Sequence, residues 1–167
     1  MAMDALGLIK SDRELLAAER AIDEFRCGRA VAVVDGPVLS VYASIETVSP
    51  ASTLALQAMG GGEAALILSG ERGMALGIAG ARDSAVALPL PRDASLPDMV
   101  QLASSAPREA GVMEQFSLTP KSAALDTDRL IIQTLKVAWL LPAAMRVTVA
   151  PGCFGKIQSL MSSRVLH

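Results

Sequence analysis

Residues 11–50 read SDRELLAAERAIDEFRCGRAVAVVDGPVLSVYASIETVSP, and they set the architecture of the chain. Ser11 and Glu14 have the spacing of a capping box, in which the serine hydroxyl accepts an amide and the glutamate reaches back to the serine. Leu15, Ala18, Ile22 and Phe25 then recur at helical spacing. Arg13, Glu19, Arg20, Asp23, Glu24 and Arg26 fall largely on the other faces, so the pattern predicts a half-buried helix. Gly28 follows the last apolar position, where a left-handed stop is easiest without a β-carbon. Ala30 to Val34 reads as a short strand, Asp35-Gly36 as a turn, and Val38 to Val48 as a second extended run with Leu39, Val41, Ala43 and Ile45 alternating. Pro37 weakens the hairpin, because it supplies no amide to a ladder. Ser49-Pro50 opens the next helix with a cap and a first-position proline.

Beyond this unit short helices and strands go on alternating, with no internal repeat. Pro50 to Met59 is expected to be a helix with Leu54, Ala58 and Met59 inward, stopped by Gly60-Gly61-Gly62. Ala64 to Leu68 reads as a buried strand, and Ser69 starts a short helix to about Ile78 that Gly73 and Gly77 weaken. Val86 to Leu88 reads as a strand, Asp98 to Ser104 as a brief helix, and residues 105–122 as a surface crossing. Asp126 to Leu141 is a helix with an acidic start and an inward stripe of Leu130 or Ile131, Leu135 and Ala138. Met145 to Val149 follows as a strand. Short strands alternating with helices imply an α/β or α+β domain, a mixed sheet flanked by helices. The expected organisation is a lead-in over 1–10, one domain over 11–149 and an extension over 150–167.

Composition excludes several classes of function. The chain has 167 residues and a net charge of −2 with no basic stripe, and its three Phe and one Tyr make no base-stacking platform, so nucleic acid is not an expected partner. Hydrophobic content is 51%, yet no apolar run is long enough to span a bilayer, so neither is a membrane. Cys27 and Cys153 lie far apart and no signal peptide precedes them, which implies reduced thiols in a cytoplasm.

Little in the sequence carries chemistry. His167, the single histidine, is the last residue of the sequence and lacks the neighbours that would orient a catalytic imidazole. The glycines at 60–62 follow a helix and precede a strand, the reverse of a phosphate cradle. Cys153 has Lys156 nearby but no histidine base, and two cysteines with one terminal histidine cannot close a structural zinc site. Asp35 and Glu46 flank the hairpin and suit a hard cation, although solvated carboxylates at turns are far commoner. No cofactor or metal is expected.

The order helix, Gly-Arg-Ala-Val-Ala-Val-Val-Asp, extended run, Glu-Thr-Val-Ser-Pro, helix resembles the start of 3,4-dihydroxy-2-butanone 4-phosphate synthase, which supplies the four-carbon unit of riboflavin. In that family the valines lead into an acidic loop, Val-Asp-Asp-Glu-Asp-Arg-Glu-Asn-Glu-Gly-Asp-Leu, followed by Ala-Ala-Glu-x-Val-Thr-Pro. Here the second segment is similar at Ser44 to Pro50, but Gly36 to Val41 stand where the acidic loop belongs. Leu135 to Ala143 is similar to the family's Ala-Arg-Leu-Ala-Gly-Leu-x-Pro-Ala. Counting back places the family's Gly-His-Thr-Glu-Ala on Asp126 to Leu130, so its histidine becomes Thr127 and its glutamate Arg129. The family's cysteine falls in Ala64 to Leu68, where there is none.

The resemblance covers residues 13–149 and implies a synthase-like α+β sandwich whose metal ligands and acid–base groups are gone. The Leu-Leu-Pro-Ala-Ala ending is similar to degenerate copies at the N-terminus of some bacterial GTP cyclohydrolase II proteins. That implies a homodimeric module and a C-terminal cyclohydrolase domain that is absent from this sequence. A vestigial pocket would hold Asp35, Glu46, Thr127 and Asp128. An enzyme reading, a sugar-phosphate lyase or isomerase, would use Asp35, Glu46 and Asp128, and a small-molecule binding domain is the third possibility.

Overall fold

A computed structural model describes residues 15–59, 64–78, 85–104 and 124–149. The Ser11–Glu14 capping box, the glycines at 60–62, the crossing at 105–122, the lead-in, the extension, Cys153 and His167 lie outside the described residues. Residues 15–26 are helical (α1), followed by β1 (Val31–Asp35), β2 (Val38–Ser44), α2 (Pro50–Met59), β3 (Ala64–Leu68), α3 (Gly70–Ala75), β4 (Val86–Pro89), α4 (Leu96–Ser104), α5 (Asp126–Val137) and β5 (Ala143–Val149).

The opening unit folds as its turn residues dictate. At the end of α1 the Gly28 amide bonds Phe25 O at 3.1 Å and the Arg29 amide bonds Glu24 O at 2.9 Å, the pair of bonds that closes a helix around a left-handed residue. Gly28 has φ +72°, and a Cβ there would sit 2.5 Å from the Thr47 carbonyl oxygen, so only glycine fits. β1 and β2 pair antiparallel with Asp35 opposite Val38, which leaves Gly36 and Pro37 as a two-residue turn. Gly36 supplies the positive φ that such a turn needs first, and Pro37 removes no ladder amide because it sits within the turn. β2 ends at Ser44, earlier than the expected Val48, because the Val48 amide turns back to the Ser44 carbonyl at 3.0 Å.

All four strand pairings are antiparallel, in the order β1-β2-β5-β3-β4. The mixed sheet expected from alternating strands and helices is therefore corrected in this one respect, while the α+β sandwich stands. The reason is topological. β2 and β3 do run in the same direction across α2, but β5, last in the chain, inserts between them and opposes both.

Each strand is covered on both sides, so alternate residues enter two separate cores. One face packs Leu39, Val41, Leu66, Leu68, Leu88, Met145 and Val147 against Leu56 of α2 and Met99 and Leu102 of α4. The other packs Val31, Tyr42, Ile67, Ala87 and Ala144 against Phe25 of α1 and Ile131, Ile132 and Leu135 of α5.

Two predicted helix faces shift, and two helix ends move. α1 meets the sheet through its second half, so Ala21 and Phe25 are buried while Leu15 and Ala18 are exposed. α2 turns Thr53 and Leu56 inward instead of Leu54 and Ala58. Thr53 tolerates burial because its hydroxyl donates to the Ser49 carbonyl at 3.0 Å. α4 starts at Leu96, two residues early. Ser95 and Asp98 cap it reciprocally, and Pro97 fits in the first turn, which needs no proline amide. α5 stops at Val137 rather than Leu141, because Trp139 takes a left-handed conformation with φ +59°.

Candidate functional site

The buried polar side chains of the strands, with Asp128 of α5, gather on the face covered by α1 and α5. Alternation along β2 puts Ser40, Tyr42 and Ser44 there, and Arg146 on β5 is the register partner of Tyr42. The first turn of α5 arrives above them. Asp128 is fully buried, and its Oδ2 accepts Arg146 Nη1 at 2.5 Å and the Leu125 amide at 2.8 Å. Its Oδ1 accepts the Tyr42 phenol at 2.9 Å. The Tyr42 oxygen in turn lies 2.8 Å from Thr127 Oγ1. Because a phenol has one proton, the chain runs Thr127 hydroxyl to Tyr42 oxygen, then Tyr42 hydroxyl to Asp128.

The electrostatics close on themselves. Asp128 and Arg146 cancel, and Tyr42 stays neutral because burial pushes its phenol well above the usual range, against the Thr127 hydrogen bond that lowers it. Three donors converge on one carboxylate, so its acceptor sites are largely committed. Ser40 and Ser44, both buried, have hydroxyls with no hydrogen-bond partner, so this polar stripe is not fully satisfied.

The four site residues read from the sequence separate into distinct places. Thr127 and Asp128 come together over Tyr42 and Arg146. Asp35 is exposed at the hairpin end of β1, and Glu46 lies beyond the opposite end of β2. A strand of this length at about 3.3 Å per residue holds the two roughly 20 Å apart, too far to share an ion. Glu46 Oε2 accepts the Leu141 amide at 2.5 Å and so ties the approach to β5. No group of three or more His, Cys, Asp or Glu side chains among the described residues is placed to hold a metal ion.

Tyr42 and Arg146 are the members of the constellation that the sequence reading missed. A signal was present: an arginine in the middle of the strand run AAMRVTV must find a buried counter-ion if both faces of that strand are covered.

No protein-family model matches the sequence, and no curated protein matches it significantly. Solved structures do. The chain is similar to a crystal structure of 3,4-dihydroxy-2-butanone 4-phosphate synthase from Candida albicans, with a TM-score of 0.60 and 13% identity over 89% of this chain and 91% of that one. It is also similar to RibBX, a two-domain 3,4-dihydroxy-2-butanone 4-phosphate synthase from A. baumannii, with a TM-score of 0.55 and 15% identity over 79% of this chain and 47% of that one. At these identities the likeness establishes architecture: the chain has the α+β fold of the 3,4-dihydroxy-2-butanone 4-phosphate synthases.

Proposed function

We propose that this chain is a non-catalytic, synthase-like scaffold, a homodimerising module of a GTP cyclohydrolase II-type protein in cytoplasmic riboflavin biosynthesis. The observation that carries the reading is the fate of its carboxylates. Asp128 is taken up by Arg146, Tyr42 and the Leu125 amide, Glu46 by the Leu141 amide, and Asp35 stands alone at a hairpin. A synthase needs hard ligands for magnesium and groups free to move protons gathered in one place, whereas Asp128 and Glu46 are engaged by other partners and Asp35 stands apart from both. The same separation weighs against a lyase or isomerase built on Asp35, Glu46 and Asp128. Dimerisation draws support from the outer side of α5, where Leu130, Val137 and the nearby Trp139 are all exposed. Incubation of the pure chain with ribulose 5-phosphate and magnesium is expected to release no formate above background, and formate at enzymatic rates would refute the reading. Sedimentation is expected to give a dimer, and a monomer at micromolar concentration would remove the dimerising role.

A further inference from the structure

Two of the three α2 residues that periodicity places in the core, Leu54 and Ala58, line an open cavity. They lie four apart on one side of the helix, and Leu54 is 67% exposed because Thr53 and Leu56 take the inward positions. The cavity measures about 420 Å³ and lies between the end of α2, the first residue of β3 and the segment Leu90 to Arg92 that follows β4. Its walls are tied together: the Leu90 amide bonds the Ala64 carbonyl at 3.0 Å, and the Gln57 amide donates to the Ala94 carbonyl at 3.1 Å. The shape is therefore held without a ligand.

Among the described residues the lining is apolar except at two points, Gln57 and Arg92. Arg92 is exposed, and among the described residues its guanidinium has no hydrogen-bond or ion-pair partner. A guanidinium with its whole donor fork unengaged matches a carboxylate or phosphate bidentately. Beside it, Leu54, Ala58, Leu90 and Pro91 offer hydrocarbon, which suits an aliphatic or small aromatic body and not a sugar. The volume sits in the lower part of the roughly 300–1,000 Å³ range of small-molecule sites, too little for a folded partner segment. We infer that this cavity binds a small amphipathic anion, with its acid group on Arg92 and its apolar body against Leu54 and Leu90. The site lies on the opposite face of the sheet from Asp128, so it stands or falls independently of the scaffold reading.

Octanoate titrated into the full chain and followed by calorimetry and amide NMR tests this. Saturable binding with a Kd on the order of 1 mM or tighter is expected, with shifts centred on residues 54–58 and 90–92. Removing the charge from either side, with 1-octanol as ligand or with Arg92→Gln, is expected to weaken binding by at least about tenfold. Ala58→Trp, which fills the cavity from an exposed position, is expected to abolish it while the circular dichroism stays unchanged. The inference is overturned if binding fails to saturate by about 10 mM, if octanol or Arg92→Gln makes no difference, or if the shifts centre elsewhere.

Discussion

The two faces of the sheet are built on different chemistry from the same strands. Toward α2 and α4, β2, β3 and β5 present Leu39, Val41, Leu66, Leu68, Met145 and Val147, all hydrocarbon or thioether. Toward α1 and α5 the same strands present Ser40, Tyr42, Ser44 and Arg146 among Ile67 and Ala144. The first face is held by area removed from water, which tolerates a change of shape better than a change of charge. The second depends on Asp128, Arg146, Tyr42 and Thr127 satisfying one another, while the Ser40 and Ser44 hydroxyls stay without a partner.

The contrast is clearest in what it takes to damage each face. Asp128→Ala strands the Arg146 guanidinium in the interior and is expected to cost about 3–5 kcal/mol in urea unfolding, the largest single effect in the chain. The paired replacement Asp128→Leu with Arg146→Met removes both charges but leaves the Leu125 amide and the Tyr42 hydroxyl without their acceptor, so it is expected to cost about 1–3 kcal/mol, less than the single variant. A loss as large as the single variant's would mean that the network does more than satisfy itself. On the other face, Leu66→Ala is expected to cost about 3 kcal/mol by leaving a cavity, with no dependence on pH or salt.

The helix ends offer a smaller version of the same comparison. α1 and α5 close with the same pair of bonds, Trp139 and Leu140 repeating on α5 what Gly28 and Arg29 do on α1. Gly28→Ala forces a side chain into a left-handed backbone and against the Thr47 carbonyl, with an expected loss of about 2–3 kcal/mol. Trp139 already bears that backbone cost and is 90% exposed, so Trp139→Gly is expected to stabilise the monomer by about 1 kcal/mol, read in urea at a concentration low enough to dissociate the proposed dimer. The smallest effect is electrostatic. Lys136 holds the Glu71 carboxyl down at about 2, helped by the Glu71 amide and Ser69. A depressed carboxyl contributes above its unfolded value of 4.5 and loses that contribution as pH falls toward 2. The pair is largely exposed, so Glu71→Gln should lower stability at neutral pH by no more than about 0.5 kcal/mol, and not at all in strong salt.

Local chemistry made much of this legible. Gly28 as a stop, Asp35-Gly36 as a turn and Ser49 as a cap are each decided by the residues within a turn of them; Gly28 and Ser49 stand where the pattern placed them, and the turn falls one residue later, on Gly36-Pro37. Thr127 and Asp128 are neighbours on one helix, and both reach the Tyr42 phenol. Asp35 and Glu46 were not separable in sequence, since their distance depends on where β2 ends. The insertion of β5 between β2 and β3, which brings Arg146 beside Tyr42, is a long-range pairing with no local signature. Leu54 misled because α2 hides a threonine by bonding it to its own helix. Trp139 misled because a tryptophan within a helical pattern reads as helix, whereas its backbone has already turned.

Ligand-linked stability most directly tests the proposal that these polar side chains serve the fold and hold no substrate. Urea unfolding with and without ribulose 5-phosphate and magnesium should give superimposable midpoints at millimolar concentrations of both. A bound ligand at a hundredfold excess over its Kd would raise the unfolding free energy by about 2.7 kcal/mol, and a rise of that order, absent with either component alone, would contradict the account.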